Sequence, residues 1–423
     1  MTRCLVCEST KVELFLDLGV TALANKFLAA EELGQLEPTY PLRVGRCRDC
    51  THVQLMEHVP PAEMFTEYLY MSSASDTLRA HLDGLSEVVV RRGRLGSSDL
   101  VIDIGCNDGT LLTAFSRRGV KTLGVDPAKN LAALAKDDGV ARYIGFFSSK
   151  SAQEIVDRWG RASAMTATNT FPHIPALRDF VAGIKTALAP EGVFVIEAHY
   201  LLDLLNQVAF DTVYHEHVSY WALGPMLRLF RETGLEVVDV ARLPIHHGQL
   251  RVFVQHVGRA PVQPSVERIL LQERAAGLEQ FDTYQTFAAR VQELKVSLGR
   301  TLRDLRAGGA RIAGYGAPAK GNTLLSFLDL GSDLIEYIVD KSPLKQGRYT
   351  PGTHIPVVPP QRLLDDQPDY VVLLAWNFAD EILKQQAEYL HRGGKFILPV
   401  PQVRIITREP ISLSLAASTA EAT

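Results

Sequence analysis

The chain has 423 residues, which predicts two or three domains because one domain usually takes roughly 100 to 200 residues. Hydrophobic residues make up 46% of the chain and its net charge is -4, which is typical of a soluble globular protein with a large core. No basic run argues for a nucleic-acid partner, and no window of about eighteen apolar residues predicts a membrane span. Because the first residues also lack the apolar stretch of a signal peptide, we expect a cytoplasmic protein.

Four of the five cysteines form two knuckles, Cys4-x-x-Cys7 and Cys47-x-x-Cys50. In a cytosolic chain, paired knuckles favour a tetrahedral zinc site over disulfides, with four unrelated reduced thiols as the alternative. Four thiolates leave the metal no open position, so we predict a structural zinc that stabilises a small domain of residues 1–72. The fifth cysteine, Cys106, is expected to pack rather than react, because no general base is visibly paired with it.

An aromatic and hydroxyl-rich cluster, Phe65 to Ser75, precedes an amphipathic helix predicted over Asp76 to Arg92. In an extended segment Tyr68 and Tyr70 lie on one face, so both could reach a neighbouring cleft. The plainer alternative is that both only pack.

From residue 95 onward, apolar strands alternate with helical stretches. The predicted strands are Leu100–Gly105, Lys121–Asp126, Arg142–Phe147, Ser163–Thr168, Gly192–His199, Leu235–Ala241 and Leu250–Gln255. This order predicts an α/β fold in which a seven-stranded sheet ends in an antiparallel hairpin. We expect its domain to span residues 73–260.

The turn Asp103-Ile-Gly-Cys-Asn-Asp-Gly109 joins the first strand to a helix predicted over Thr110 to Arg118, and such a unit forms a mononucleotide-binding crevice. A dinucleotide fingerprint places its third glycine five residues after the first. Here Gly105 and Gly109 are four apart, and Asn107 replaces the middle glycine. The pattern resembles motif I of the class I S-adenosylmethionine (SAM) methyltransferases, which implies their doubly wound seven-stranded sheet.

Asp126 ends the second strand about twenty residues later, where the ribose hydroxyls of an adenosine cofactor need an acceptor. We predict that it binds the ribose; the alternative is a solvated carboxylate in an ordinary α/β unit. Asn169 and His173 follow the fourth strand at the carboxyl edge, where they could line the cofactor and the substrate respectively. The predicted cofactor residues are Asp103, Gly105, Asn107, Gly109, Asp126, Pro127, Phe147 and Asn169.

A polar segment, Tyr214-His-Glu-His217, leaves the fifth strand. A His-x-His pair with a glutamate could hold a metal, although the spacing is not that of the His-Glu-x-x-His zinc hydrolases. An imidazole, a phenol and a carboxylate are also what acid–base catalysis needs. The remaining alternative is a polar loop that caps the sheet.

Several motifs spread over most of the chain can be compared with known families: the two knuckles, the turn Asp103–Gly109, the segment Tyr214–Tyr220, His246-His-Gly-Gln-Leu-Arg251 and Gly314-Tyr-Gly-Ala-Pro-Ala-Lys-Gly-Asn-Thr-Leu-Leu325. By these motifs the chain resembles, nearly end to end, the sugar C-methyltransferases of nucleotide-deoxysugar pathways, especially the NDP-hexose 3-C-methyltransferases.

This resemblance implies a zinc-binding N-terminal domain, a central SAM-binding domain and a C-terminal Rossmann-like domain that helps to hold a nucleotide sugar. It also implies methylation of the carbon (C3) next to a 4-keto group, through an enolate. His217 corresponds to the general base, with Tyr68, His173, Tyr214 and Glu216 around the sugar.

The C-terminal domain, residues 261–408, is predicted to be a second parallel α/β unit. Its elements are a helix over Phe281–Arg306, strands at Ala310–Gly316, Leu334–Asp340, Tyr370–Ala375 and Phe396–Val400, and a helix beginning near Pro318. Its glycine turn, with Asp340 ending the next strand, imitates a degenerate dinucleotide site. Backbone amides at a helix start together with Lys320 suit a pyrophosphate equally well, and a relic fold that only packs is the alternative. The tail, 409–423, should be disordered.

The preferred function is transfer of a methyl group from SAM to a keto sugar nucleotide. The alternative is an NAD-dependent sugar-nucleotide oxidoreductase that uses the C-terminal glycine turn, while a zinc-ribbon binding module leaves the central sheet unexplained. Nothing in the sequence specifies an oligomer, so we expect a monomer whose partner is the nucleotide sugar, not nucleic acid or a membrane. The predicted substrate-binding residues are Tyr70, His199, Gly316, Lys320 and Asn322.

Overall fold

The computed structural model describes four stretches of the chain: 2–68, 71–134, 140–245 and 248–407. The predictions made for Tyr70, for His246 and His247 of the quoted motif, and for the 409–423 tail therefore lie outside the described residues. Within the described stretches, no helix is both long and apolar enough to cross a membrane.

The chain divides into two compact units. The first consists of Met1–Lys26 and Pro38–Val291, and the second of Phe27–Glu37 and Gln292–Thr423. The first unit contains two sheets and the second contains one.

The smaller sheet of the first unit is antiparallel and has four strands in the order β1-β2-β3-β9. Its strands are β1 (Val12–Ala22), β2 (Thr39–Cys47), β3 (Val53–Leu55) and, much later in the chain, β9 (Ser219–Tyr220). Val53 pairs with Tyr220, and Gln54 pairs with Ser219. This four-stranded sheet, called the N-terminal sheet below, thus includes residues that begin two positions after the segment Tyr214–His217.

The larger sheet has seven strands in the order β10-β11-β8-β7-β4-β5-β6. They are β4 (Leu100–Ile104), β5 (Lys121–Asp126), β6 (Ala141–Ile144), β7 (Ala162–Thr168), β8 (Leu188–His199), β10 (Leu235–Leu243) and β11 (Gln249–His256). β4 to β8 run parallel, and β11 pairs antiparallel with both β8 and β10. The predicted class I methyltransferase sheet with its antiparallel hairpin is confirmed.

The helices of the first unit are α1 (Pro61–Phe65), α2 (Asp76–Gly93), α3 (Thr110–Arg117), α4 (Lys129–Leu134), α5 (Ser149–Trp159), α6 (Leu177–Ala187), α7 (Leu201–Asn206), α8 (Leu223–Thr233) and α9 (Pro264–Ala275). In α2 the leucines at 78, 82 and 85 recur at helical spacing and form one apolar face. That face packs on Val101, Ala164 and Val195 of the sheet in one hydrophobic cluster.

The second unit has a six-stranded sheet in the order β14-β13-β12-β15-β16-β17, parallel except for β17. Its strands are β12 (Ile312–Tyr315), β13 (Ile338–Val339), β14 (Val357–Val358), β15 (Tyr370–Leu373), β16 (Lys395–Leu398) and β17 (Arg404–Ile406). Its helices are α11 (Ala319–Leu328), α12 (Arg362–Asp366), α13 (Ala379–Gln385) and α14 (Ala387–His391), and the boundary between the units falls within α10 (Phe281–Ala307). This is the second α/β unit that the sequence predicts.

Candidate active site

The turn after β4 bends the chain sharply into α3. Gly105, Asn107 and Gly109 all have positive φ, at 74°, 53° and 85°. A Cβ at position 105 would overlap the hydroxyl of Thr170, so this position needs glycine for space as well as for conformation. The result is a tight backbone crevice at the carboxyl edge of the sheet.

Asp126 lies at the end of β5 and ties this crevice together. Its Oδ2 accepts a hydrogen bond from the Asn107 amide and its Oδ1 accepts one from the Ala128 amide, both at 2.8 Å. Burial raises the pKa of Asp126, and the two amides oppose that rise. A carboxylate can accept about four hydrogen bonds, so the two oxygens keep capacity for a pair of ligand hydroxyls.

Asp103 is the second acid of the crevice and is only 3% exposed. Its Oδ1 accepts a hydrogen bond from the Thr166 hydroxyl at 2.6 Å. Burial, assisted by the charge of Asp126, raises the pKa of Asp103 to about 7. A positively charged ligand would favour the ionised form of both acids, so the crevice suits a cationic adenosine cofactor such as SAM.

Cys106, in the same turn, is buried, and its sulfur lies 3.5 Å from a guanidinium nitrogen of Arg142. Burial and the nearby acids raise the pKa of this thiol, so it stays protonated. This is the environment of a packing residue.

Asn169 follows β7 with a positive φ of 56°. Its backbone amide donates to the Glu197 carbonyl at 2.8 Å, and its Oδ1 accepts from Gln249 Nε2 at 2.5 Å. Gln249 was not predicted as a site residue, although it lies in one of the quoted motifs. Of the other predicted cofactor residues, Pro127 directly follows Asp126, and Phe147 packs edge-on against Phe180.

The segment that carries Tyr68 is hydrogen-bonded to α4, which follows β5, and to the glycine turn that follows β4. The Tyr68 amide and carbonyl pair with the side-chain amide of Asn130, at 3.0 and 2.8 Å. The Ser72 amide donates to Asn107 Oδ1 at 3.0 Å, and the Ser73 amide donates to Asp108 Oδ2 at 2.8 Å. No sequence signal indicated these contacts, because each joins residues far apart in the chain.

His217 is buried and held in one tautomer by its neighbours. Its Nδ1 donates to the Thr212 carbonyl at 2.8 Å, and a carbonyl can only accept. In the neutral ring Nε2 is therefore the acceptor, and the Tyr214 hydroxyl donates to it at 2.9 Å. Nε2 is thus the basic atom of this imidazole.

Glu216 is only 4% exposed, and each of its carboxylate oxygens has a donor. Asn25 Nδ2 donates to Oε1 at 2.6 Å, and the Tyr68 hydroxyl donates to Oε2 at 2.9 Å. Asn25 was not predicted, and no feature of the sequence near it indicated a site.

The ring centroids of His173 and His199 lie 5.0 and 5.2 Å from that of His217. These three histidines, with Tyr214 and Glu216, are the candidate catalytic cluster. His173 stacks on Phe65, and burial lowers the pKa of His173 to about 4, so this ring is neutral. Its Nε2 is buried without a hydrogen-bond partner among the described residues. This buried nitrogen is available to a ligand in the cluster.

His215 has a different environment from His217. Its Nε2 donates to the Pro41 carbonyl at 3.3 Å, and its ring meets Tyr40 edge-on. Across the part of the chain that the structure describes, the cysteines alone form a group placed to hold a metal. The arrangement therefore favours acid–base chemistry over a His-x-His metal site.

The four cysteines of the two knuckles are reduced, and their sulfurs lie within 4.8 Å of one another. Zinc–sulfur bonds of about 2.3 Å in a tetrahedron place sulfurs about 3.8 Å apart, close to the 3.4 Å between Cys4 and Cys50 and the 3.6 Å between Cys7 and Cys47. The four thiols thus fit a closed, structural zinc site.

The glycine turn of the second unit follows β12. Gly316 has a φ of 82°, and a Cβ there would lie 2.5 Å from that of Ala375. Asp340 accepts hydrogen bonds from the Ala317 and Ser342 amides, at 2.6 and 2.7 Å.

Two buried lysines flank this turn. Lys345 donates to the Ala317 carbonyl at 2.7 Å, and Lys320 and Asn322 lie buried in the first turns of α11. Gly316, Lys320 and Asn322 thus form a group of their own in the second unit.

Three family models match the chain: a zinc binding domain at residues 4–65, a methyltransferase domain at 78–240 and a C-methyltransferase C-terminal domain at 244–401. C-methyltransferase NovU of Streptomyces niveus is 37% identical, over 96% of this chain and 97% of the relative. A ubiquinone biosynthesis O-methyltransferase of Acinetobacter baylyi is 26% identical, over 38% of this chain and 71% of the relative. The crystal structure of a SAM-dependent methyltransferase from Clostridium acetobutylicum covers 44% of this chain and 94% of its own, with 14% identity and a TM-score of 0.35.

Proposed function

The chain belongs to the SAM-dependent C-methyltransferases, and on that premise we propose that it methylates C3, next to the keto group, of a 4-keto-deoxysugar nucleotide through an enolate. The observation that carries this proposal is the tautomer of His217, whose Nε2 is the basic atom and is bonded to a phenol. A carbon beside a ketone is acidic when a base takes its proton while a donor stabilises the enolate oxygen. An imidazole and a phenol in contact supply both functions.

His217 is the proposed base. A neutral imidazole whose Nδ1 carries the hydrogen can accept a proton at Nε2. The Nδ1 bond to the Thr212 carbonyl persists when the ring becomes an imidazolium, so the same contact orients the base and stabilises its charged form.

Tyr214 is the proposed donor to the enolate oxygen. At rest its hydroxyl donates to Nε2 of His217. Nε2 has one lone pair, so the phenol hydrogen must turn away before Nε2 can take the proton from the sugar carbon. Turned to the keto oxygen, the phenol leaves the base free and donates to the developing oxyanion, so proton abstraction and oxyanion stabilisation are linked.

The cofactor supplies an electrophilic sulfonium methyl group when bound. The residues proposed to hold it are the turn Gly105–Gly109 and the acids Asp103 and Asp126, with Asn169 at the edge. Their task is to place the methyl donor so that the nucleophilic carbon can approach in line. Glu216, His173, His199 and Tyr68 are proposed to bind the sugar.

The turn of the second unit is proposed to bind the pyrophosphate of the nucleotide. The first backbone amides of α11 and the buried ammonium groups near them favour an anion. The oxidoreductase alternative has no support among the relatives. We place the enzyme in the cytoplasm and expect it to act as a monomer.

The test is incubation of the protein with SAM and a panel of 4-keto-6-deoxy nucleotide sugars that differ in base and in their C2 and C5 substituents. A product that gains one methyl group, located at C3 by NMR, is expected from at least one sugar. A control without SAM should give no product. Methylation at oxygen, or no methylation across the panel, would contradict the proposal.

A further inference from the structure

Asn25 joins the zinc-binding part of the chain to the catalytic cluster. Its side-chain amide donates to Glu216 Oε1 at 2.6 Å, across a sequence separation of 191 residues. The opposite oxygen of Glu216 is held by Tyr68, which is 148 residues away. The carboxylate is therefore fixed by donors from two separate segments, and neither donor belongs to the loop that carries Glu216.

The backbone at Asn25 is well anchored. Leu23 and Ala24 are buried, and Leu23 belongs to a hydrophobic cluster with Val59 and Met64. The Lys26 amide donates to the Leu23 carbonyl at 3.0 Å and closes a turn around Asn25. This turn directly follows β1, whose other end pairs with the zinc knuckle at Cys47.

The loop of Glu216 is attached to the same sheet. The Leu55 amide of β3 donates to the Val218 carbonyl at 3.0 Å, and β9 begins at the next residue. The N-terminal sheet thus sets the position of both the amide of Asn25 and the backbone of the Glu216 loop. A shift of this sheet relative to the seven-stranded sheet would move both together.

We propose that Asn25 is a positioning residue that orients the Glu216 carboxylate toward the substrate, so that the zinc-binding part of the chain builds one wall of the active site. The proposal rests on the proposed function, in which Glu216 binds a sugar hydroxyl. A neutral amide is suited to this task because it donates at every working pH, and a hydrogen bond to a charged oxygen is short and directional. Because Asn25 donates to Oε1 of Glu216, the carboxylate is held in one orientation and its remaining acceptor positions face the ligand in a defined way.

The substitution Asn25→Asp tests this geometry, because it puts a second carboxyl group against Glu216. When the pair holds one proton, Asp at position 25 can still donate to Glu216. When both groups are ionised they repel each other, so the pKa of the pair is raised above its value in the unfolded chain. By linkage, the contribution of the pair to stability is present at low pH and lost as pH rises through the raised pKa.

Other titratable groups border the same loop, so each variant is compared with wild type at every pH. They are Tyr68, His173, Tyr214, His215 and His217.

We expect the melting temperature of Asn25→Asp to fall relative to wild type as pH rises from about 5.5 to 8.5, in protein without substrate. Methyl transfer by the variant, divided by that of wild type, should fall about tenfold over the same range, with the SAM Kd unchanged. Asn25→Leu, which removes the donor at similar size, should lower kcat about tenfold at every pH. Ser9→Ala removes a hydroxyl donor to Asp49, elsewhere near the zinc knuckles, and should behave as wild type.

If the melting temperature of Asn25→Asp differs from that of wild type by the same amount at every pH, the contact between Asn25 and Glu216 is wrong. A pH-dependent melting difference with a flat activity ratio would overturn the positioning role. If wild type methylates none of the sugars, the proposed function and the positioning role fail together, while the melting measurement still decides whether Asn25 contacts Glu216.

Discussion

The glycine turn after β4 and the glycine turn after β12 are built alike. In each, a carboxylate at the end of the next strand accepts hydrogen bonds from two backbone amides, one from the turn and one from its own loop. Asp126 accepts from Asn107 and Ala128. Asp340 accepts from the Ala317 and Ser342 amides. In both turns the carboxylate therefore holds the backbone of the turn in place, whichever ligand the turn binds.

The two turns differ in the charges placed around that scaffold. Beside the first lie Asp103 and Asp108, whose carboxylates bond to Thr166 and to the segment before α2, and one cation, Arg142, which lies against Cys106. Beside the second lie the buried Lys320 and Lys345. An acidic crevice suits the positive charge of SAM and a basic one suits a pyrophosphate, so side-chain charge, more than the fold, separates the two proposed ligands.

The largest expected effect is the loss of zinc, which should change the first unit and leave the second unit unchanged. Cys47→Ser removes a zinc ligand, and zinc content should fall from about one equivalent to none. Hydrogen exchange should rise in the strands of the N-terminal sheet while β12, in the other unit, keeps its protection. Cys106→Ser, outside the zinc group, should keep the metal. Unchanged protection in zinc-free protein would show that the metal has no structural role.

Asp126→Ala should weaken SAM binding by roughly 1.5 to 3 kcal/mol, because two ribose hydroxyls lose a charged acceptor. Asp340→Ala is the matched control, since it removes the corresponding acid of the other turn. It should leave SAM affinity at the wild-type value. If calorimetry finds that both variants lose the same SAM affinity, the proposal that the two turns bind different ligands is wrong.

Lys320→Gln should raise KM for the nucleotide sugar by about tenfold, because the phosphate loses a charge-assisted hydrogen bond. The SAM Kd should not change. Lys341→Gln, at an exposed lysine of the same unit, is the control and should have little effect. Steady-state kinetics at two salt concentrations would check this, and a KM equal to wild type would favour a relic turn that only packs.

The pH dependence of SAM binding should be a smaller effect. Because the pKa of Asp103 is raised to about 7, much of this carboxyl is protonated below that pH, and a cationic ligand favours its ionised form. SAM affinity should therefore fall by a factor of up to about ten between about pH 8 and pH 6. The free energy of unfolding of the unliganded protein has the opposite pH dependence. Because the pKa of Asp103 is raised, its contribution to stability is lost as pH rises through about 7. Asp103→Asn should flatten both profiles in calorimetry and thermal melts.

The sequence predicted the two α/β units because their signals are local. Buried parallel strands are short apolar runs, and glycine turns with a following acid have fixed spacing. Strands of two or three residues give no such signal, so β14 and β17 were not predicted. The strand predicted over Leu334–Asp340 is only Ile338–Val339, because a turn takes up residues 332–334 and the chain becomes a strand only after it.

The candidate site was predictable only where chemistry and spacing coincide. Tyr214–His217 combines several titratable groups in four residues, and this density marks it without a structure. Asn25 and Gln249 carry ordinary amides, and their importance comes from partners 191 and 80 residues away. Asn130 is similar, since its side chain binds the backbone of Tyr68, 62 residues away. Contacts of this kind depend on how distant elements pack, which no local pattern encodes.

The central claim is that His217 removes a proton from the carbon next to the keto group. It is tested most directly by solvent-deuterium exchange at that carbon in the absence of SAM, measured by mass spectrometry on the sugar that wild type methylates. Wild type should exchange the proton, and His217→Asn should abolish both exchange and methyl transfer while its SAM Kd stays near normal. Exchange at the wild-type rate in His217→Asn would contradict the account and make His173 the next candidate for the base.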